Sequence, residues 1–246
     1  MAYNPNAPWL WPVLLSVFFG ALNASALRWI LYANRHPPKR EIVDAPDPKP
    51  GAPRELDAGD ILDWEFEYAR TTASEAMTER HNVVNIYLLA AGVVISGVAA
   101  ILSLDSDTEI PAEAGTALLW LLCFIGWIYF LAIVRLRQAW HDSAKTMNHI
   151  KDFYIYHTQH FDHKAMRAAF RWQTGSLPPP DKPWTVYFYS AMLIAVLNSG
   201  AYMAGGLLLA PGAPTAFGWG YGLLQLALGL LFFIYHVVLY FAFLKP

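Results

Sequence analysis

The stretch LDWEFEYARTTASEAMTERHNVVNIYLLAAGVVIS, residues 62–96, decides the fold of this chain. Its first half is charged and its second half is apolar enough to lie in lipid, yet one stripe of apolar and small residues runs through both halves. The stripe repeats at alternating intervals of four and three, the period of a helix that packs along one side against another. Its members are Leu62, Phe66, Ala69, Ala73, Ala76, Arg80 and Val83, and Gly92, Ser96 and Ala100 continue it at intervals of four. Small residues let helices approach closely within lipid, so the sequence predicts a packing seam along this helix.

The composition is typical of a membrane protein. Apolar residues make up 56% of the 246 residues and charged residues 15%. Five runs reach the roughly 20 residues that a membrane-spanning helix needs. The five runs are Trp9–Leu31, Val83–Leu104, Thr116–Val134, Trp184–Ala210 and Phe217–Phe243. The net charge of −2 gives no reason to expect nucleic acid as a partner; the expected partner is the lipid bilayer.

The basic residues predict the orientation of the chain. With five spans, the N-terminal tail and the loops 105–115 and 211–216 share one side and contain no Lys or Arg. Because basic residues favour the cytoplasmic side, we expect the N-terminus outside and the C-terminus in the cytoplasm, in a multi-pass protein of the cell (inner) membrane. The predicted segments are an N-terminal transmembrane helix (1–33), a Pro-rich cytoplasmic linker (34–59), a helix–span–span–helix hairpin (60–160), an interfacial amphipathic helix with a Pro-rich loop (161–183) and a C-terminal transmembrane hairpin (184–246).

The hairpin is expected to extend beyond the membrane. The segment RLRQAWHDSAKTMNHIKDFYIYH, residues 135–157, follows the third span without Pro or Gly, so that helix continues unbroken. The predicted fold is therefore an all-α, polytopic membrane helix bundle of about five transmembrane helices, with a cytoplasmic antiparallel helical-hairpin stalk extending two of them. The seam of each stalk helix packs either within the chain, which we favour, or on another subunit.

Polar residues within and beside the spans are candidate sites. Asn23, Asn198 and His236 lie inside predicted spans, where an unpaired ionisable group is costly. They indicate either structural hydrogen bonds between helices or a functional polar site. Four further residues lie where the stalk meets the membrane and would gate or seal a central axis in an assembly, or else extend to the headgroups. These junction residues are Arg80, His81, Asn82 and Asn85.

Histidines near the end of the stalk raise the possibility of a metal site. His157, His160 and His163 are spaced H-x-x-H-x-x-H, and His141 and His149 share their helix face. Imidazoles grouped in this way suit a transition metal, but a solvated polar face gives the same pattern, and no cysteine or carboxylate completes a four-ligand set. We expect no cofactor, with a transition metal at the three spaced histidines as the alternative.

The motifs of common enzymes are absent from the sequence, so we expect no enzymatic activity. The segments EFEYARTTASEAMTERHNVVNIYLLAAG and RLRQAWHDSAKTMNHIKDFY flank a short acidic loop between two spans. In this organisation, residues 60–160 resemble SLATT-type membrane effectors of bacterial conflict and nucleotide-signalling systems, although this chain adds one span before and two after. The resemblance implies an effector that acts through the membrane.

Three functions remain open from the sequence. The first is a non-enzymatic integral membrane protein that forms a homo-oligomer through its helical stalk, as a pore or membrane effector. The second is an accessory or scaffold subunit of a larger membrane protein complex. The third is a metal-dependent membrane enzyme that uses the cytoplasmic histidine face.

Overall fold

The computed structural model describes residues 58–103, 112–157, 177–209 and 215–245, together with Lys164 and seven positions between Leu14 and Arg28. The four continuous helices are α1 (Ala58–Ser103), α2 (Ala112–His157), α3 (Val186–Leu208) and α4 (Thr215–Leu244). Each is long and apolar enough to cross a membrane. The protein is all-helical over these ranges, and its four apolar helices indicate a multi-pass membrane protein.

Each of the last four predicted spans overlaps one of these helices. Thr116–Val134 and Phe217–Phe243 lie within their helices, whereas Val83–Leu104 and Trp184–Ala210 extend past the helix ends at Ser103, Val186 and Leu208. The predicted first span, Trp9–Leu31, lies outside the described residues apart from the seven isolated positions. The Pro-rich linker before residue 58 and all of the amphipathic helix except Lys164 also lie outside them. The count of five spans therefore stays a prediction.

Helices α1 and α2 form a long antiparallel pair. Each has 46 residues, more than twice the roughly 20 that a bilayer requires. Near one end of the pair the Tyr154 hydroxyl donates to Asp63 Oδ1 at 3.3 Å. Near the other end, a Cβ added at Gly115 would lie 3.6 Å from Val98 Cγ1. Contacts at both ends show that the two helices run beside each other along their lengths.

The side of α1 that faces the rest of the protein carries mostly small residues in its polar half. The buried positions of α1 follow intervals of three, four or seven: Ala69, Ala73, Ala76, Arg80, Tyr87, Ala91 and Val98. Leu62 and Phe66 are half-buried at the start of the same side. Small side chains here allow the α1 and α2 backbones to approach closely.

The predicted continuation of the seam through Gly92, Ser96 and Ala100 does not lie between α1 and α2, because all three positions are exposed. Gly92 is nine residues beyond Val83, and nine residues at about 100° each turn a helix by two and a half revolutions, to its opposite side. The buried side instead continues through Tyr87 and Ala91. Whether the three small residues pack on another subunit stays a prediction.

Helix α3 contacts α1, α2 and α4. It begins after Thr185, whose hydroxyl oxygen accepts from the Phe188 backbone N–H at 3.2 Å, a standard N-cap. The preceding residue, Trp184, has a φ of 63°, which is rare for a residue with a side chain. Trp184 is also 74% exposed, so the sharp turn before α3 directs an indole ring away from the bundle.

Candidate functional site

A single buried amide joins all four described helices. Asn198 on α3 is fully buried. The Tyr87 hydroxyl on α1 donates to Asn198 Oδ1 at 2.8 Å. Asn198 Nδ2 donates to the Cys123 carbonyl oxygen on α2 at 3.3 Å and lies 3.4 Å from His236 Nε2 on α4. We call Asn198 and these three partners the Asn198 network.

The hydrogen bonds of His236 fix its tautomer. His236 Nδ1 lies 2.8 Å from the Phe232 carbonyl oxygen, which can only accept, so Nδ1 carries the proton. His236 Nε2 then holds the lone pair and accepts from Asn198 Nδ2. The ring also stacks on Trp127, with centroids 4.0 Å apart and planes 6° apart. Because both ring nitrogens are bonded within the protein, His236 has none left for a metal or a transferred proton.

Close packing of α2 on α3 encloses the Asn198 network. A Cβ at Gly126 would overlap the Asn198 side-chain amide, so this position accepts only glycine without displacing the amide. One turn away, the Cys123 thiol donates to the Asn198 carbonyl oxygen at 3.3 Å. Small residues that bring backbones together and amides that bond across helices are the usual means of helix association in lipid. The network is therefore suited to hold the four helices in one arrangement.

A second buried amide, Gln225 on α4, is only partly satisfied. Its Nε2 donates to the Tyr221 hydroxyl at 3.0 Å, and that hydroxyl donates to the Gly206 carbonyl oxygen at 2.6 Å. Gln225 Oε1 is enclosed and has no hydrogen-bond partner. A buried unpaired acceptor costs about 1–3 kcal/mol, so Gln225 contributes less to stability than Asn198 although both amides are fully buried.

Two buried arginines lie beside one tyrosine where α3 begins. Arg80 on α1 is 8% exposed and Arg137 on α2 is 3% exposed. Their guanidinium carbons lie 5.1 Å and 5.7 Å from the centroid of the Tyr187 ring on α3. Arg80 Nη2 lies 2.6 Å from His81 Nε2, and Arg137 Nε donates to the Pro180 carbonyl oxygen at 3.0 Å. We call Arg80, Arg137 and Tyr187 the arginine pair site.

The charge of the arginine pair site is not balanced by a carboxylate at ion-pair distance. Within the described ranges, the ion pairs are Arg70–Glu67 and His141–Asp142, and neither involves Arg80 or Arg137. Burying a charge without a partner of opposite sign is costly. Cation–π contacts with Tyr187 and, for Arg137, with the Trp140 ring at 4.8 Å offset part of that cost.

The two junction asparagines lie on the opposite side of α1 from Arg80. Asn82 and Asn85 are exposed, whereas Arg80 is buried against Tyr187. Asn82 follows Arg80 by two positions, over which a helix turns by about 200°. Whether these residues surround the central axis of an assembly stays a prediction.

The exposed asparagines belong to one long side of α1, which we call the outer face of α1. Its members fall within about 120° of arc at 100° per residue, and all are exposed. They are Trp64, Tyr68, Asn82, Asn85, Gly92, Ser96 and Ala100. The membrane-spanning window of α1 is 17% buried, compared with 33–50% for the other three helices. Helix α1 is thus the least covered span of the described bundle.

No metal site forms among the residues that the structure describes. His157 Nδ1 lies 2.9 Å from the Phe153 carbonyl oxygen, and its ring stacks on Phe153 at 4.2 Å. Within the described ranges no group of three or more His, Cys, Asp or Glu side chains is placed to hold a metal ion. His160 and His163 lie outside those ranges, as does Asn23, so the metal site stays a prediction.

Sequence reasoning picked out Asn198 and His236 but missed several of their neighbours. Gln225 carried an available signal, because it is an amide within a predicted span. Arg137 looked like one more basic residue beside a span, and only the tertiary structure distinguishes it from the exposed Arg135. Tyr87 and Trp127 carry no signal in the sequence, since aromatic residues are common throughout the spans.

Comparison with known proteins places the chain in no group: no protein-family model, no curated protein and no solved structure matches it. The function is therefore argued from the Asn198 network, the arginine pair site and the outer face of α1.

Proposed function

We propose that the protein is a non-enzymatic integral membrane protein that assembles with copies of itself through the outer face of α1 and acts on the membrane as an effector or pore. The observation that supports the proposal is the exposure of this face along the whole of a 46-residue helix. A helix face that is uncovered both in its polar half and in its membrane half is suited to a partner that is also long and helical.

The polar half of the outer face carries two large aromatic side chains. Trp64 and Tyr68 are 67% and 69% exposed, in a segment too charged to lie in lipid. Tryptophan and tyrosine are enriched among residues that dominate the energy of protein interfaces. In the membrane half, Gly92, Ser96 and Ala100 leave room for a second backbone. Both halves of the outer face of α1 are therefore suited to pack against another helix.

The polar residues between these halves favour a second copy of the same chain. Asn82 and Asn85 are exposed on the outer face where the charged half ends. A side-chain amide carries both a donor and an acceptor, so it is complementary to another copy of itself. In a two-fold interface the same patch meets itself, and two such amides would pair near the membrane boundary.

The Asn198 network uses its polar groups for hydrogen bonds between the helices of one chain. Asn198 and His236 are bonded to other groups of the chain, so neither is free to line a polar route through a single copy. An ion pathway that formed between copies would instead meet the polar side chains of Asn82 and Asn85.

Disulfide cross-linking of single-cysteine variants tests the proposal. Cys123→Ser removes the one native thiol and keeps a hydroxyl donor toward the Asn198 carbonyl oxygen. In that background, Ser96→Cys or Ala100→Cys is expected to give a species of twice 27.6 kDa in native membranes after oxidation. Leu121→Cys is the matched control, because Leu121 is 50% exposed on α2 and lies off the outer face.

Two results would contradict self-assembly through this face. One is the absence of a cross-linked dimer from both outer-face cysteines, and the other is equal cross-linking at position 121. A cross-link from Ser96→Cys to an unrelated chain would instead favour an accessory subunit of a larger membrane complex.

A further inference from the structure

The arginine pair site holds more positive charge than the protein around it neutralises. Arg80 and Arg137 contribute two guanidiniums, each more than nine-tenths buried. One carboxylate, Asp181, favours the charged form of Arg137, but neither arginine forms an ion pair within the described ranges. Both guanidiniums lie near the Tyr187 ring, so they can be no farther apart than the sum of their distances to its centroid. Such an arrangement favours an anion that reaches both groups.

The hydrogen-bonding capacity of the pair is also incompletely used. Arg137 donates from Nε to Pro180 O at 3.0 Å and from Nη2 to Pro179 O at 3.4 Å, which leaves Nη1 without an acceptor among the described residues. Within the same ranges Arg80 makes one hydrogen-bond contact, from Nη2 to His81. None of the guanidinium nitrogens of either residue is among the enclosed unpaired atoms of the described ranges. The donors that remain therefore reach the surface of the protein.

The position of the pair matches the depth of lipid headgroups. It lies where α3 begins, close in the chain to the exposed Trp184, and tryptophan is enriched at membrane–water interfaces. Exposed basic residues, Arg135 and Lys182, are close to it in the chain. An anionic headgroup at this depth would meet the open guanidinium nitrogens without entering the bundle.

We propose that Arg80 and Arg137 form a binding site for a phosphate group, carried by an anionic phospholipid or free in solution. Guanidinium is the side chain best suited to phosphate, because its planar donors match two phosphate oxygens at once. Basic pockets between membrane helices bind anionic headgroups by the same chemistry. Tyr187 is a positioning residue in this site, since both guanidiniums lie within cation–π distance of its ring. The site is independent of assembly through the outer face of α1.

The test is lipid binding by the purified full-length protein in detergent micelles. Phosphatidylglycerol, phosphatidylcholine with the same acyl chains, and inorganic phosphate are added separately. Bound lipid is counted by native mass spectrometry, and the melting temperature is recorded in parallel, because a ligand that binds only the folded state raises it. We expect phosphatidylglycerol to bind at least tenfold more tightly than phosphatidylcholine and to raise the melting temperature. Stabilisation by inorganic phosphate but not by phosphatidylglycerol would support the site with a soluble ligand.

Variants separate a built site from diffuse attraction to a basic surface. Arg80→Gln and Arg137→Gln are each expected to lose at least tenfold in affinity for phosphatidylglycerol. Arg135→Gln is the matched control, because it removes the same charge two residues away from an exposed side chain, and its affinity should remain within about twofold of the wild type. Arg137→Lys keeps the positive charge but removes the planar pair of guanidinium donors, so it tests the site if the Gln variants do not fold. We expect Arg137→Lys to lose several-fold in affinity for phosphatidylglycerol.

Two outcomes would overturn the proposal. One is equal binding of the two lipids by the wild-type protein together with no effect of phosphate. The other is a loss in Arg135→Gln as large as the loss in Arg137→Gln.

Discussion

Replacing Asn198 by Leu tests whether the Asn198 network holds the bundle together. The change keeps a side chain of similar size on α3 but removes the contacts of the amide with Tyr87, Cys123 and His236. Hydrogen bonds between membrane helices contribute about 0.6 kcal/mol each on average, so three of them contribute about 2 kcal/mol. A Tyr87 hydroxyl left buried without a partner adds about 1–3 kcal/mol. We expect a total loss of about 3–5 kcal/mol in the free energy of unfolding.

The assay is reversible unfolding in mixed micelles, followed by circular dichroism. At about 2–4 °C per kcal/mol for a chain of this size, the expected loss lowers the melting temperature by roughly 6–20 °C. Gln225→Met is the matched control, because Gln225 is an equally buried amide on the neighbouring helix and its Oε1 has no partner. Replacing it by an apolar side chain of similar volume should change stability by less than about 1 kcal/mol in either direction.

Two further variants refine the comparison. Ser199→Ala removes a hydroxyl that bonds only the Ala195 carbonyl oxygen within α3, so its effect should stay within about 0.5 kcal/mol. Tyr87→Phe removes one bond of the network, and combined with Asn198→Leu it should cost less than the sum of the two single changes, because both act on the same bond. Equal unfolding free energies for Asn198→Leu and Gln225→Met would refute the reasoning.

Three more predictions follow from packing and exposure. Gly126→Ala should destabilise the protein by about 1–3 kcal/mol, because the added Cβ overlaps the Asn198 amide. Gly222→Ala should not destabilise it, because nothing lies within 4 Å of the added Cβ. Unfolding in micelles compares the two variants, and equal effects would contradict the close packing of α2 on α3 at Gly126. The double variant Trp64→Glu with Tyr68→Glu should weaken assembly at least tenfold on size-exclusion chromatography without lowering the melting temperature. The control Tyr156→Glu changes a 63% exposed residue near the end of α2 and should leave assembly unchanged. An unaffected elution volume for the double variant would contradict the proposed interface. The fully buried Cys123 should react with a maleimide only after unfolding, and labelling of the folded protein at the rate of a free thiol would show that α2 and α3 do not pack as described.

The helical spans could be predicted from the sequence because uncharged runs of about 20 residues have few alternatives to a membrane helix. The absence of Pro and Gly in residues 135–157 likewise predicted that α2 continues far past its span, and it ends at His157. These features are local, so the order of residues along the chain is enough to predict them.

The rotation of each helix about its axis was harder to predict. The four-three repeat of α1 places Ala69, Ala73 and Ala76 on one side, and all three are buried. Beyond Val83 the predicted seam moves to Gly92, half a revolution away, because small residues are the usual packing surface of helices in lipid. Tyr87 continues the buried side instead, since its hydroxyl finds Asn198 on α3, and a contact between residues 111 positions apart leaves no local pattern.

The arginine pair site shows the same limitation for charge. A basic residue beside a span usually marks the cytoplasmic side and remains solvated. Arg137 differs from Arg135 only in facing the Tyr187 ring and the Pro180 carbonyl oxygen. Both partners are brought to it by the packing of α3 on α2, which the basic residues of the sequence do not encode.

The measurement that tests self-assembly most directly is native mass spectrometry of the tagged protein released gently from its own membrane. Self-assembly through the outer face of α1 predicts a single mass at an integer multiple of 27.6 kDa, allowing for bound lipid, which Trp64→Glu with Tyr68→Glu reduces to the single chain. A wild-type protein found only as a single chain would contradict that prediction. A mixed mass containing unrelated chains would contradict it as well, and would make the protein a subunit whose function belongs to its complex.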